Sequence, residues 1–382
     1  MNNSKPIVYV IETDYPGVRD AVEKIFCRFP LICKDKLVWV KPNMLGNFVP
    51  ERHVTTYPAL VSAVVDKLLQ LGARVIVGDN SGVPSILSED KLARENGIFD
   101  ASHGHFAVIS KDVYEVTLGG GVGERVAVSR IAKECDLMIS LPKMKTHLHT
   151  IISGAVKNSY GIVVGIQKAN LHRRHPAMDD FAKVIAETYN VRRPDLVIMD
   201  GVIALEGDGP NSPNIRRVGR VIASTDGVAL DHYVARIMGM DPDTIPLLKY
   251  CIETGMGSKE YELDGPGSAI PGFLLPKTYF EPRDRQYTMV EDLIYRYVTR
   301  KRLSVSRKRC IRCMRCVEIC ASKAIHVDET YPVIDNKKCI LCYCCKEMCP
   351  NNAIKFPASY SLAQKLVGVW QWAQNIVRPR KR

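Results

Sequence analysis

The chain has 382 residues, 46% of them hydrophobic and 25% charged, with 13 cysteines and a formal net charge of +12. That length suggests two or three domains and leaves about 300 residues outside the cysteine-rich part for a large core. No segment reaches about 18 apolar residues and no apolar run precedes a small-residue cleavage site, so neither a membrane span nor a signal peptide is expected.

In chain order, residues 7–11 form a short β-branched run that predicts a strand. Residues 17–29 place Val18, Val22, Ile25 and Phe26 on one helical face. A strand at 37–40 ends in Lys41-Pro42-Asn43, and a loop runs on to Thr56. Residues 57–71 predict a helix closed by Gly72. A strand at 74–77 ends in Gly78-Asp79-Asn80-Ser81. Residues 103–130 alternate and are rich in glycine, which fits a hairpin insertion. Strands at 137–141, 196–199 and 218–223 end in Pro142-Lys143, Asp200-Gly201 and Ser224-Thr225-Asp226, and a helix follows over 227–238. Short apolar strands alternating with amphipathic helices predict an α/β fold, a largely parallel sheet with flanking helices, over residues 1–264. Residues 265–302 carry four early prolines and persistent apolar residues, and are expected to wrap the large domain as a connector. In residues 358–382, Leu362, Leu366, Val369, Trp370 and Ala373 share a helical face before a basic end. That face suits either the protein's own body or a membrane surface.

The cysteines carry the sharpest signal. C-x2-C-x2-C-x3-C occurs at Cys310, Cys313, Cys316 and Cys320, and again at Cys339, Cys342, Cys345 and Cys349, followed by Pro350. Three thiolates of such a run wrap one cubane and the fourth ligates the other. The spacing therefore predicts two [4Fe-4S] clusters, one on Cys310, Cys313, Cys316 and Cys349, the other on Cys339, Cys342, Cys345 and Cys320. Cys344 fits neither gap and is expected to be a non-ligand. Zinc sites use paired cysteines with a long gap between pairs, and disulfides need an oxidising compartment. The other cysteines are scattered, so a reducing cytoplasm is expected. This stretch resembles a bacterial two-cluster ferredoxin over residues 303–357, a small α+β domain, with Ala321 where that family usually has proline.

Charge is unevenly placed. Residues 301–382 hold 17 Lys and Arg against 5 Asp and Glu, while the first 300 hold 36 of each. A basic face beside a cluster suits an acidic electron carrier of ferredoxin or flavodoxin type. No aromatic single-strand platform or recognition helix supports nucleic acid.

In open parallel sheets ligands bind outside the carboxyl ends of the strands. Lys41, Asn43, Asp79, Lys143, Asp200 and Asp226 each follow a predicted strand and are expected at one such edge. Residues 141–175 add Lys145, His147, His149, Lys157, Asn158, Lys168, His172 and His175. Many cations with few carboxylates suit an anionic small molecule or cofactor. A metal reading uses His147-x-His149 and His172-x2-His175. Lys41, Asn43, Asp79, Lys143, Lys145, Lys157 and Asn158 are the candidate substrate contacts. His147, His149, Asp200 and Asp226 are the candidate proton-moving residues.

KPN at 41–43, LGA at 71–73, GDNSG at 78–82, LPKMKTH at 141–147, GAVKNSYG at 154–161, RPDLVIMDG at 193–201, EGDGP at 206–210 and ASTDGVALD at 223–231 together resemble one family. It is the uncharacterised family numbered 362 among domains of unknown function, and the resemblance spans about residues 35–250. It implies an iron–sulfur redox protein of anaerobic bacteria or archaea and carries no general reaction. The combined expectation is an oxidoreductase that passes single electrons to an anionic molecule held by the α/β domain. The alternatives are an electron-transfer protein without its own substrate, and an anion- or metal-binding domain with sensory clusters.

Overall fold

The computed structural model describes residues 5–81, 88–280 and 303–356. The connector beyond residue 280 and the amphipathic segment 358–382 lie outside the described residues.

Eleven strands precede the cysteine motifs: β1 (Ile7–Glu12), β2 (Leu37–Pro42), β3 (Arg74–Val77), β4 (Val113–Thr117), β5 (Arg125–Ser129), β6 (Leu137–Leu141), β7 (Lys143–His147), β8 (Ile151–Ser153), β9 (Leu196–Leu205), β10 (Ile215–Ser224) and β11 (Glu262–Asp264). Nine of them build one sheet in the order β11-β1-β10-β9-β6-β2-β3, with β7 beside the second half of β9 and β8 beside β7. The stretch β9-β6-β2-β3 is parallel, as is the pairing of β7 with β9. β10 is antiparallel to both β9 and β1. The glycine-rich insertion forms the separate β4–β5 hairpin, as its alternation predicts.

Period-two alternation explains why both faces of this sheet are apolar. Val38 and Val40 join the core on one face, with α1 (Val18–Arg28) and α2 (Pro58–Gln70), while Trp39 joins the core on the other. That second face is covered by helices carrying Phe181, Val184, Val234 and Leu248. The result is helix, sheet and helix in three layers, the α/β fold expected.

The cysteine motifs form a small, internally duplicated unit. Two short antiparallel pairs frame it, Ser304–Val305 with Ile354–Lys355 and Ile325–Asp328 with Tyr331–Ile334. Its backbone repeats closely. Arg312, Met314 and Lys323 have φ of 58, 57 and 53°, and Leu341, Tyr343 and Asn352, each 29 positions later, have 56, 61 and 48°. Left-handed turns at non-glycine residues are uncommon and cost energy, so their repetition marks a conformation the loops must hold. One large-domain residue, Leu148, is buried inside this unit's core with Cys316, Ile319, Tyr343 and Met348.

Candidate functional site between the strand ends and the second cysteine loop

The carboxyl ends of β2 and β3 deliver Asn43, Asp79 and Asn80 to one edge of the sheet. The segment after β8 folds over that edge as two short turns and a helix: Ala155–Asn158, Ser159–Ile162 and Gln167–Arg174. Gly161 is required there, because a Cβ would lie 2.1 Å from Asp79 Oδ1 and 2.4 Å from Lys41 Nζ. Gly154 is required for a similar reason, since its Cβ would lie 2.0 Å from Asp231 Oδ1. Asp231 in turn accepts from the amides of Ala155 and Val156 at 2.7 and 3.0 Å, which fixes the turn that carries Lys157. The space left is a cavity of about 70 Å³, room for several waters or a small molecule. Asn43, Asp79, Asn80, Lys157, Asn158, Lys168 and His172 form its polar wall.

Its opposite wall is the cysteine unit: Ile319, Cys344, Glu347 and Met348. Ile319 and Cys344 immediately precede Cys320 and Cys345 in the chain, so the cavity abuts the second cysteine grouping. Cys344 is buried, with its Sγ 3.9 Å from the Cys342 carbonyl oxygen. Further contacts hold the two units together. Arg52 donates to the Pro350 carbonyl at 3.2 Å, Asn211 to the Cys349 carbonyl at 2.8 Å, and His147 Nε2 lies 3.0 Å from Glu347 Oε1.

Five buried or half-buried lysines gather at this edge of the sheet, two of them, Lys157 and Lys168, lining the cavity, and they are not equivalent. Lys41 pairs with Asp79 at 2.6 Å and Lys143 with Asp200 at 2.7 Å, all four side chains buried. Lys145 donates to Asn43 Oδ1 and the Val54 carbonyl, both at 2.7 Å. Lys168 donates to the Asn80 carbonyl at 2.7 Å. Lys157 has no hydrogen-bond or ion-pair partner among the described residues. Burial lowers Lys157, drives Lys145 well down and brings Lys168 to about 8. Three of the five cations thus lack a carboxylate partner among the described residues, an arrangement that a bound anion or a negatively charged group beside it would relieve.

Several candidate residues lie elsewhere. Lys143 and Lys145 are held beneath the edge and do not line the cavity. Asp200 is fully engaged, accepting from Lys143, the Tyr15 hydroxyl at 3.2 Å and the Tyr57 amide at 2.9 Å. Asp226 caps the helix Gly227–Ile237 through the Val228 and Ala229 amides. It sits at the opposite edge, because β10 runs antiparallel and its carboxyl end points away from those of β2 and β3. His147 accepts the amides of His149 and Thr150 at Nδ1, so its proton sits on Nε2, facing Glu347. Burial and Lys157 push it down to about 4, which keeps it neutral. His149 packs against Phe181 and His172 and does not line the cavity. His175 is 2.9 Å from Glu124, away from the other histidines of the metal reading. Among the described residues no three His, Cys, Asp or Glu side chains are grouped to hold a single metal ion. The cavity's Glu347, Cys344 and Tyr160 were not legible as site residues. Burial would raise the Glu347 carboxyl, but the hydrogen bond from His147 Nε2–H and the charge of Lys157 outweigh it and hold it well below the usual carboxylate range.

The first cysteine grouping is open rather than collapsed. Cys310, Cys313, Cys316 and Cys349 line a small hollow of about 20 Å³ with Ile311, Met314 and Ala353. Cys316 is pushed up to about 12 by burial and by its neighbours Cys349, Cys313 and Cys310. Cys345 is raised well above its usual value by burial and by Cys342, Cys339, Cys316 and Cys320. Backbone amides already point at sulfur: Ala324 to Cys320 and Ala353 to Cys349, both at 3.1 Å. Four cysteines lining one hollow, with the Ala353 amide aimed at Cys349, fit an iron–sulfur cubane and would be costly as four thiolates alone.

Comparison with known proteins agrees with this division. Residues 38–236 match the family described as domain of unknown function (DUF362), and residues 332–355 match a 4Fe-4S binding domain. A thylakoid-associated protein of Synechocystis sp. is 31% identical over 264 residues, covering 64% of this chain and 79% of that protein. Among solved structures, the lactate racemase apoprotein from Thermoanaerobacterium thermosaccharolyticum aligns with a TM-score of 0.40 at 13% identity, over 62% of this chain and only 58% of that one. A structural-genomics crystal structure from Thermotoga maritima aligns with a TM-score of 0.38 at 12% identity, over 85% and 88% of the two chains. Likenesses this distant say nothing about activity. The chain belongs to the DUF362 family and carries a 4Fe-4S binding domain after the family's α/β part.

Proposed function

We propose that this protein is an iron–sulfur oxidoreductase with two [4Fe-4S] clusters, which delivers single electrons to a small anionic molecule held in the cavity. The observation that carries the proposal is the cavity's position. One wall is the strand-end site with the unpartnered Lys157, and the other is the loop that supplies Cys342 and Cys345. Cys310, Cys313, Cys316 and Cys349 would hold the outer cluster, and Cys339, Cys342, Cys345 and Cys320 the inner one. When bound, such clusters take up and release electrons one at a time.

The chain's own residues then have distinct tasks. Lys157 binds the anion and presents a proton at Nζ. Lys168 adds positive charge and ties Asn80 in place. Met44, Met348 and Ile319 narrow the cavity and limit water, which strengthens each polar contact inside it. Exposed Arg307, Lys308, Arg309 and Arg312 surround the outer loop and would dock an acidic carrier of ferredoxin or flavodoxin type. We place this chemistry in the reducing cytoplasm. No helix of the described residues is long and apolar enough to cross a membrane. The basic amphipathic segment 358–382 would permit attachment to a membrane surface, in keeping with the thylakoid association named for the relative.

The test is mass spectrometry of small molecules released from protein purified anaerobically. A small anion should leave with the wild type and be missing from Lys157→Met, with iron content unchanged. Removing one charge-assisted bond should weaken binding about ten- to a hundredfold. A wild type that carries no anion, and binds none differently from the variant, would overturn the proposal.

A further inference from the structure

The cavity offers more than positive charge. Asn80 is 2% exposed, and its amide orientation is fixed from within: Nδ2 donates to Ser129 Oγ at 2.8 Å and to the Gly161 carbonyl at 2.6 Å. Its Oδ1 is therefore an acceptor, and it is buried without a hydrogen-bond partner. His172 is 6% exposed, stacks on Phe181 with ring centroids 3.9 Å apart, and leaves Nδ1 buried without a partner. Both side chains line the cavity with Lys157. Glu347 brings a carboxylate to the facing wall.

A bare oxyanion would answer Lys157 and leave the Asn80 oxygen unmet. Buried polar atoms are almost always paired in folded proteins, and a buried acceptor left unpaired weakens a complex more than a new bond strengthens it. A partner that a bound ligand can itself supply is an O–H or N–H group. The small volume keeps that donor within a few atoms of the anionic end.

We infer that the cavity selects a small carboxylate that also bears a hydroxyl or amino donor, with the carboxylate on Lys157 and the donor on Asn80 Oδ1. This rests on the anion site proposed above and adds its selectivity. His172 Nδ1 donates to the oxygen when that group is a hydroxyl, or accepts a second hydrogen when it is an ammonium. Cys344 and Met348 close the remaining side.

The experiment is calorimetry on full-length protein with reconstituted clusters, using glycolate, acetate and inorganic phosphate as probes. Glycolate and acetate share a carboxylate and differ by one hydroxyl. Glycolate should bind at least about tenfold tighter than acetate, the worth of one buried hydrogen bond. Asn80→Ser should bring the two probes to near equality, while Lys157→Met weakens both alike. Equal binding of glycolate and acetate by the wild type, or tighter binding of phosphate than of either, would overturn the donor requirement and leave the anion site standing. If the wild type binds none of the three, the anion site falls with it. The wild-type comparison stands even where Asn80→Ser fails to fold.

Discussion

The two cysteine loops share a spacing and a backbone, yet they live in different surroundings. Around the first, Ile311, Arg312 and Cys313 are exposed, and Arg307 and Arg312 lie over the Tyr331 ring at 5.4 and 5.6 Å. Around the second, Tyr343, Cys344 and Cys345 are buried against the large domain and its cavity. Identical turns at Met314 and Tyr343 therefore do not decide what each loop does. The first suits exchange with a partner, and the second suits exchange with whatever the cavity holds. In the proposed function this is a direction for electrons, set by what packs on each loop rather than by the ligands.

The largest expected effect tests the pairing of the loops. Reconstituted wild-type protein should hold about eight iron per chain. Cys349→Ser should damage the outer grouping and Cys320→Ser the inner one, each leaving about four iron in an otherwise folded chain. Cys344→Ser should keep all eight, since that thiol faces the cavity wall. Loss of iron on changing Cys344, or damage to the same cluster in both ligand variants, would undo the assignment. Iron analysis with electron paramagnetic resonance reads all three.

A smaller effect separates the loops by charge. Reversing Arg307, Lys308 and Arg309 to Glu should slow reduction by an acidic donor about tenfold or more at low salt, with cluster spectra unchanged. The wild-type rate should fall as salt rises from about 0.01 to 0.15 M and the Debye length shrinks from roughly 30 to 8 Å. A rate indifferent to both changes would leave the outer face as plain solvated surface.

The smallest effect belongs to the inner side and is one of pH. Burial brings Lys168 from 10.5 to about 8. Between those values the folded protein binds fewer protons than the unfolded chain, so this group makes the empty protein more stable as pH rises. A bound anion favours the charged lysine, so anion binding takes up a proton and weakens as pH climbs through 8. Calorimetry at pH 7 and 9 should show a drop of several-fold in wild type and a flatter profile in Lys168→Met. A pH-independent affinity would place Lys168 outside the binding event.

The sequence disclosed the cysteine chemistry and the three-layer fold because both are written in local spacing. The apolar run at residues 37–40 was enough to expect a strand, and the strand ends at Asn43 and Asp79 do reach a common edge. Asp226 shows the limit. Its strand looks like the others, and only the antiparallel pairing of β10, set by neighbours far away in the chain, sends it to the opposite edge. Lys143 and Asp200 follow predicted strands yet neutralise one another, which no spacing reveals because they are brought together by sheet register. Glu347 and Cys344 were hidden for a related reason. They belong to the cavity through the docking of two units, and their sequence neighbours speak only of clusters.

Leu148 has a consequence for how this protein is made. A large-domain side chain is seated in the core of the cysteine unit, and Cys345 beside it is buried. If Cys345 holds iron as proposed, delivery of iron and sulfide would have to reach that thiol before Leu148 is seated in the unit. In the proposed two-cluster protein, maturation would have an order, with loading of the inner loop first and docking second. Chains that dock early would accumulate with half their metal, and replacing Leu148 by alanine would loosen that sequence without touching a ligand.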